Sequence, residues 1–294
     1  MALVTTTTAD VMLQDIWAAE LNRGVKLDIV IAAKFRDRSS ELAGNSGKAG
    51  DVLRIVSRHH LTANTKSGGT ALTPEAITET AQTFTVNTHQ ATAQTIEDIA
   101  EIQTKYDIRA EYNTDASYSL ARAMDVSGGN LFDDNTLQTV GVFGSELLED
   151  NLLRGRQYLR DSGFHPPFEL IIPTATYHGL VKLERFSRED YTGDESGMAV
   201  HDAQVGKVYG SVVYESLLVV GTAPNASGAL FKEGHFFKIV QRSPTPHSWY
   251  SPNDLAWVLS TDQIYGMFEL QEAVEAAAGT TSARLGGVEI RCRK

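Results

Sequence analysis

Apolar residues change their spacing several times along the chain, and each change predicts a new element. Between Met12 and Phe35, Leu13, Ile16, Trp17, Leu21, Val25, Leu27 and Ile31 recur at roughly helical intervals. Gly24 interrupts them, which predicts a broken helix or arm. Gly44, Gly47 and Gly50 then mark a loop. The run DVLRIV (51–56) and the β-branched run TPEAITETAQTFTV (73–86) read as two strands of a long hairpin around the polar tip TANTKSGGT (62–70). Few of its residues are large and apolar, and a two-stranded ribbon alone in water is marginal, so the hairpin needs a partner surface.

Thr95 stands three residues before Asp98, with Glu97 and Glu101 nearby, a pattern that predicts a capped helix start. Ile99, Ile102, Tyr106, Ala110, Ala116, Leu120 and Met124 continue it at steps of three and four, to a stop at SGGN (127–130). A helix over 96–125 would span roughly 40 Å at 1.5 Å per residue. Beyond it, 144–163 reads as an amphipathic helix, FELIIP (168–173) as a buried strand and 174–186 as another helix. A charged loop (187–197) follows. The runs 229–242, 254–261 and 286–294 read as short elements of a closing sheet.

Composition narrows the class. With 294 residues, 42% hydrophobic and 21% charged, this is ordinary globular material with a sizeable core. A net charge of −11 opposes any broad, sequence-independent grip on nucleic acid or an anionic membrane. The single cysteine, Cys292, rules out an intrachain disulfide. The N-terminal MALVTTTTADVML lacks a basic leader and an apolar core, and no apolar run reaches membrane-spanning length. A cytosol-like setting is expected.

Enzyme signatures are weak throughout. The stretch VGKVYGSVVYES (205–216) spaces its glycines Gly-x-x-x-Gly and runs on as strand, unlike a dinucleotide loop. GNSGKA (44–49) has a Gly-Lys pair without the leading glycine or the Ser/Thr of a phosphate loop. His59 and His60 point to opposite faces of a strand, so they cannot chelate one ion there. The eight histidines form no helical His-x-x-x-His pair. Helix capping accounts for Glu97, Asp98 and Glu101, and no nucleophile elbow occurs. No catalytic residue, cofactor or metal is assigned.

The order of these segments resembles the major capsid proteins of tailed bacteriophages, with the α+β Hong Kong 97-type fold. The resemblance rests on Pro173, Tyr177 and Leu180, then Gly206, Val208, Gly210, Val213 and Ser216. It rests equally on the order IWAAEL, GKAGDVLRIV, LTANTKSGGTALTPEAITET, HQATAQTIEDIA. It implies an N-terminal arm (1–50), an extended hairpin or E-loop (51–86), a peripheral domain (87–130 and 230–294) with a spine helix (96–125), and an axial domain (131–229). Gly50, Gly206 and Gly210 become backbone bends. Intersubunit contacts are expected at Trp17, Arg54, Arg58, Lys66, Glu79, Arg185, Arg188 and Glu189.

The implied function is self-assembly into pentamers and hexamers of an icosahedral head enclosing double-stranded DNA, which it holds without sequence-specific binding. The implied location is the virion, assembled in the bacterial cytoplasm. No long scaffolding segment precedes the arm, so cleavage or a separate scaffolding protein is expected, with a portal and decoration proteins as further partners. The alternatives are an encapsulin-like compartment shell, or a soluble α/β enzyme or binding module with an unrecognised site.

Overall fold

The computed structural model describes residues 26–42, 52–57, 63, 65–69, 71, 74, 79–103, 107–133, 138–181, 200–201, 204–275 and 281–294. In chain order the first elements are α1 (Ile31–Lys34), β1 (Arg36–Asp37), α2 (Ser39–Leu42), β2 (Val52–Ser57), β3 (Thr80–Thr85) and β4 (Thr88–Glu97). Next come α3 (Asp98–Gln103), α4 (Ile108–Asn130), β5 (Thr139–Gly141), α5 (Glu149–Asp161), β6 (Phe168–Ile172) and α6 (Thr174–Val181). The rest is strand: β7 (Val200–His201), β8 (Gln204–Val208), β9 (Ser211–Glu215), β10 (Asn225–Lys232), β11 (Phe236–Ser251), β12 (Ala256–Glu269), β13 (Gln271–Glu275), β14 (Thr281–Leu285) and β15 (Gly287–Arg293).

Two sheets organise the molecule. The first has seven strands in the order β5-β15-β10-β6-β9-β8-β7, with parallel pairs at β5–β15 and β6–β9. The apolar run Leu170–Ile172 of β6 follows from burial on both faces. Leu170 and Ile172 pack with Leu152 and Leu159 of α5 and Leu180 of α6. Ile171 packs on the opposite side, with Ile31, Phe35, Phe132 and Phe231. The second sheet runs β1-β11-β12-β4. α4 lies across it, where Gln263 Nε2 donates to Leu120 O (2.9 Å) and Tyr265 OH bonds Ser127 Oγ (2.8 Å).

A third cluster seats the base of the β2–β3 hairpin, which is paired antiparallel from Val52↔Thr85 to Ser57↔Thr80. Leu53 and Val86 are buried with Phe237, Ile239 and Leu270, and the Phe84 ring meets Phe237 edge-on at 5.0 Å.

Several sequence expectations change. The helix expected over 96–125 is instead strand β4 through Glu97, the short α3, and α4 from Ile108 to Asn130. Thr95 caps nothing, because it is paired with Val258 in the sheet; ten consecutive pairs with β12 outweigh a local capping signal. The side chain of Asp107 caps α4, accepting from Ala110 N (3.1 Å).

The glycines expected to stop this helix lie inside it. A Cβ on Gly128 would sit 3.0 Å from Ile31 Cγ2, and one on Gly129 would sit 2.9 Å from Leu218 O. The missing side chains let α1 and the 218 turn press against the helix, and that packing outweighs the low helix propensity of glycine.

The closing runs also divide differently. Residues 229–242 split at a Glu233–Gly234 turn, so β10 belongs to the seven-stranded sheet and β11 to the four-stranded one. The C-terminal run β15 pairs with β10, so it does not join β11 and β12, and residue 230 falls inside a strand. The amphipathic helix expected over 144–163 spans Glu149–Asp161.

Candidate assembly interface

Residues 26–32 are pinned along one face of α4. Asp125, fully buried, accepts from three backbone amides: Ala32 N (2.6 Å), Val30 N (3.0 Å) and Ile31 N (3.2 Å). About two and three turns earlier on the same face, Tyr118 OH accepts from Leu27 N (2.7 Å) and Asp115 pairs with Lys26 (2.8 Å). Residues 26–32 therefore follow a fixed track along α4.

At the far end of the four-stranded sheet, α3 and the β11–β12 turn form an exposed apolar group. Ile99, Ile102, Trp249 and Leu255 are all at least half exposed. Polar bonds hold the group in shape: Asp98 N donates to Leu255 O, and Tyr250 OH donates to Asp98 Oδ2 (2.9 Å). That bond, first among the causes, raises the pKa of the Tyr250 phenol. Arg109 stacks over Trp257 at 4.6 Å and bonds Glu101 at 2.6 Å. Leu255 is 65% exposed and sits at φ +45°, in the left-handed region that disfavours branched side chains. The folded subunit gains little from a leucine there; a surface that covers it gains more.

On the open face of the same sheet, His89, Arg242 and His247 surround Asp262 at 3.0, 3.1 and 3.3 Å. The His89 bond leads the causes that hold the Asp262 carboxyl below the usual range, with Arg242 adding to it. Sequence reasoning missed this cluster, because only antiparallel register brings positions 89, 242, 247 and 262 together. A polar cleft of about 650 Å³ lies between Lys34, Arg36, Glu169 and Glu233. Burial raises the Glu169 carboxyl, Lys34 partly offsets it, and Glu169 Oε2 has no hydrogen-bond partner among the described residues.

Among the described residues, no group of three or more His, Cys, Asp or Glu is placed to hold a metal ion. Cys292 is buried, and burial pushes its thiol pKa up. Among the described residues, no helix is long and apolar enough to cross a membrane.

Of the contact residues expected from sequence, Arg54 is exposed on β2 opposite Thr83, and Lys66 and Glu79 are exposed beyond the hairpin base. None of these three belongs to the exposed apolar group of α3 and the β11–β12 turn. Trp17, Arg58, Arg185, Arg188, Glu189 and Gly50 lie outside the described residues, as do His59 and His60. Gly206 sits at the register shift between Val205 and Lys207. Gly210 takes φ +75° in the two-residue Tyr209–Gly210 turn that joins β8 to β9, with Tyr209 also left-handed at φ +49°. Both central residues at positive φ suit a hairpin turn whose twist matches its strands.

No family model matches the chain, and no curated protein matches it. Solved structures do. A Mycobacterium phage Che8 chain aligns at TM-score 0.75 and 16% identity, covering 95% of this chain and 96% of that one. The capsid structure of cyanophage P-SCSP1u aligns at TM-score 0.71 and 13% identity, over 96% and 93% of the two chains. The mature capsid of bacteriophage PhiM1 aligns at TM-score 0.67 and 12% identity, over 95% and 92%. These likenesses extend over nearly the whole length, and the chain has the Hong Kong 97-type fold of tailed-phage capsid proteins.

Proposed function

We propose that this chain is a major capsid protein whose copies assemble into the icosahedral head of a tailed phage. The observation that carries the reading is the fold match to phage capsids over about 95% of the chain. The exposed, left-handed Leu255 and the ribbon of β2 and β3 agree with it, since both gain from a covering surface. The net charge of −11 suits an inner wall against which packaged DNA moves without sticking. The matched structures above are phage structures, which favours a head over a bacterial compartment shell.

In this reading residues 1–50 form the arm and 51–86 the extended hairpin. The four-stranded sheet with α4 forms the peripheral body, and the seven-stranded sheet the axial one. Subunits gather as pentamers and hexamers in the bacterial cytoplasm around a separate scaffolding protein and a portal, with decoration proteins added outside. The work is mechanical, and no catalytic step is assigned.

The test is light scattering and electron microscopy of the purified full chain, with and without scaffold, across salt concentrations. Capsomers or closed shells of megadalton size are expected. A stable monomer or small oligomer under every condition refutes the reading.

A further inference from the structure

The edges of the two large sheets are treated unequally. In the seven-stranded sheet the edge strands are short, β5 at three residues and β7 at two. In the four-stranded sheet, one edge strand, β11, is covered over its first residues by β1 and carries Pro244 and Pro246 in its outer half. Short strands, covering segments and prolines are ordinary means of blocking unwanted strand addition.

The opposite edge, β4, has none of them. It is ten residues long, holds an unbroken register with β12, and contains no proline, lysine or arginine. Among the described residues, no strand pairs with its outer side. In a chain of net charge −11, copies repel one another in general, yet from Thr88 to Ile96 this strip carries no carboxylate.

We propose that two copies of this chain pair β4 against β4, antiparallel, so that the two four-stranded sheets become one continuous sheet across the contact. The inference rests on the assembly reading and names one of its contacts. β4 is the longest open edge of the two large sheets, so the partner strand that matches it in length and lack of blocking residues is β4 itself. A two-fold contact of this kind is self-complementary. A register centred on Ala93 sets His89 of each copy opposite Glu97 of the other, which places opposite charges at both ends of the seam when the histidine is protonated. Ala91 then faces Thr95, and all of these side chains lie on the exposed face of the strand.

Cysteine cross-linking tests the register. In assembled full-length particles, Ala93→Cys is expected to form covalent dimers under mild oxidation in more than half of the chains, because directly opposed positions lie within disulfide reach. Buried Cys292 does not compete. Thr95→Cys alone should stay monomeric, since the two copies of that position would sit about 13 Å apart. Mixed particles of Ala91→Cys and Thr95→Cys chains should cross-link.

Ala93→Lys, which sets two ammonium groups face to face, should lower particle yield at least tenfold while leaving subunit melting unchanged. Normal particles in which Ala93→Cys gives no dimer, or a normal particle yield from Ala93→Lys, overturn the pairing and leave the assembly reading standing. If the unsubstituted chain forms no particles at all, both fall together.

Discussion

Replacing Asp125 with alanine removes the acceptor for three backbone amides at once. Its carboxylate is fully buried and bonds Val30, Ile31 and Ala32, at 3.0, 3.2 and 2.6 Å. A buried donor left without a partner costs about 1–3 kcal/mol. Two of the three bonds are buried, and the Val30 bond is only partly so, within reach of water. The gross loss is therefore about 2–6 kcal/mol, from two stranded donors. Part of it returns because a buried charge is no longer desolvated, which leaves a net loss of about 2–4 kcal/mol.

The assay is urea unfolding of the disassembled subunit, with amide exchange read at residues 30–32. Asp125→Asn keeps one acceptor oxygen and should fall between wild type and alanine. Asp115→Ala removes only the exposed pair with Lys26, for which a change within about 0.5 kcal/mol is expected. If Asp125→Ala costs no more than Asp115→Ala, or leaves exchange at 30–32 unchanged, the buried clamp does not hold residues 30–32.

Gly210→Val tests the β8–β9 turn. A Cβ there has only Arg156 Nη2 nearby, at 3.8 Å, so the cost is backbone strain at φ +75°, about 1–2 kcal/mol in melting; an unchanged melt refutes it. Glu169→Gln tests the buried carboxyl. Because burial raises its folded pKa, wild-type stability should fall as pH rises from the ordinary glutamate value, roughly 4.3, through the raised one. The variant should flatten that window and be the more stable at neutral pH; identical stability–pH curves count against it. Leu255→Asn should leave melting equal or slightly higher, since asparagine tolerates the left-handed region, yet cut particle yield several-fold. Undiminished particles would mean that the exposed leucine contacts no neighbour.

Much of the secondary structure is legible in the chain because it follows from local periodicity. The apolar run Leu170–Ile172 reads as a strand with both faces buried, and DVLRIV (51–56) with the β-branched run 73–86 reads as a ribbon, whose Leu53 and Val86 are buried. The order of segments, with Gly210 and Ser216 closing the 205–216 stretch, sufficed to indicate the fold, because chain order survives where individual residues do not. No local pattern, by contrast, fixes where β4 stops and α4 begins. Thr95 and Asp98 look like a cap until ten backbone pairs with β12, more than 150 positions away, outweigh it. Gly128 and Gly129 look like a stop until Ile31, Phe35 and Leu218 fill the space their missing side chains leave.

The assembly surface divides in the same way. A hairpin too polar to stand alone is visible in composition, and so is its need for a partner. The buried clamp on Asp125, the charged cluster around Asp262 and the open edge of β4 exist only once distant strands are in register. Local propensity acts over a turn or a strand and is worth tenths of a kilocalorie per residue, roughly. Burial and backbone pairing act across the whole chain and sum to far more, so the sequence by itself determines which elements can form, and tertiary contacts decide where they end and which surfaces they leave open.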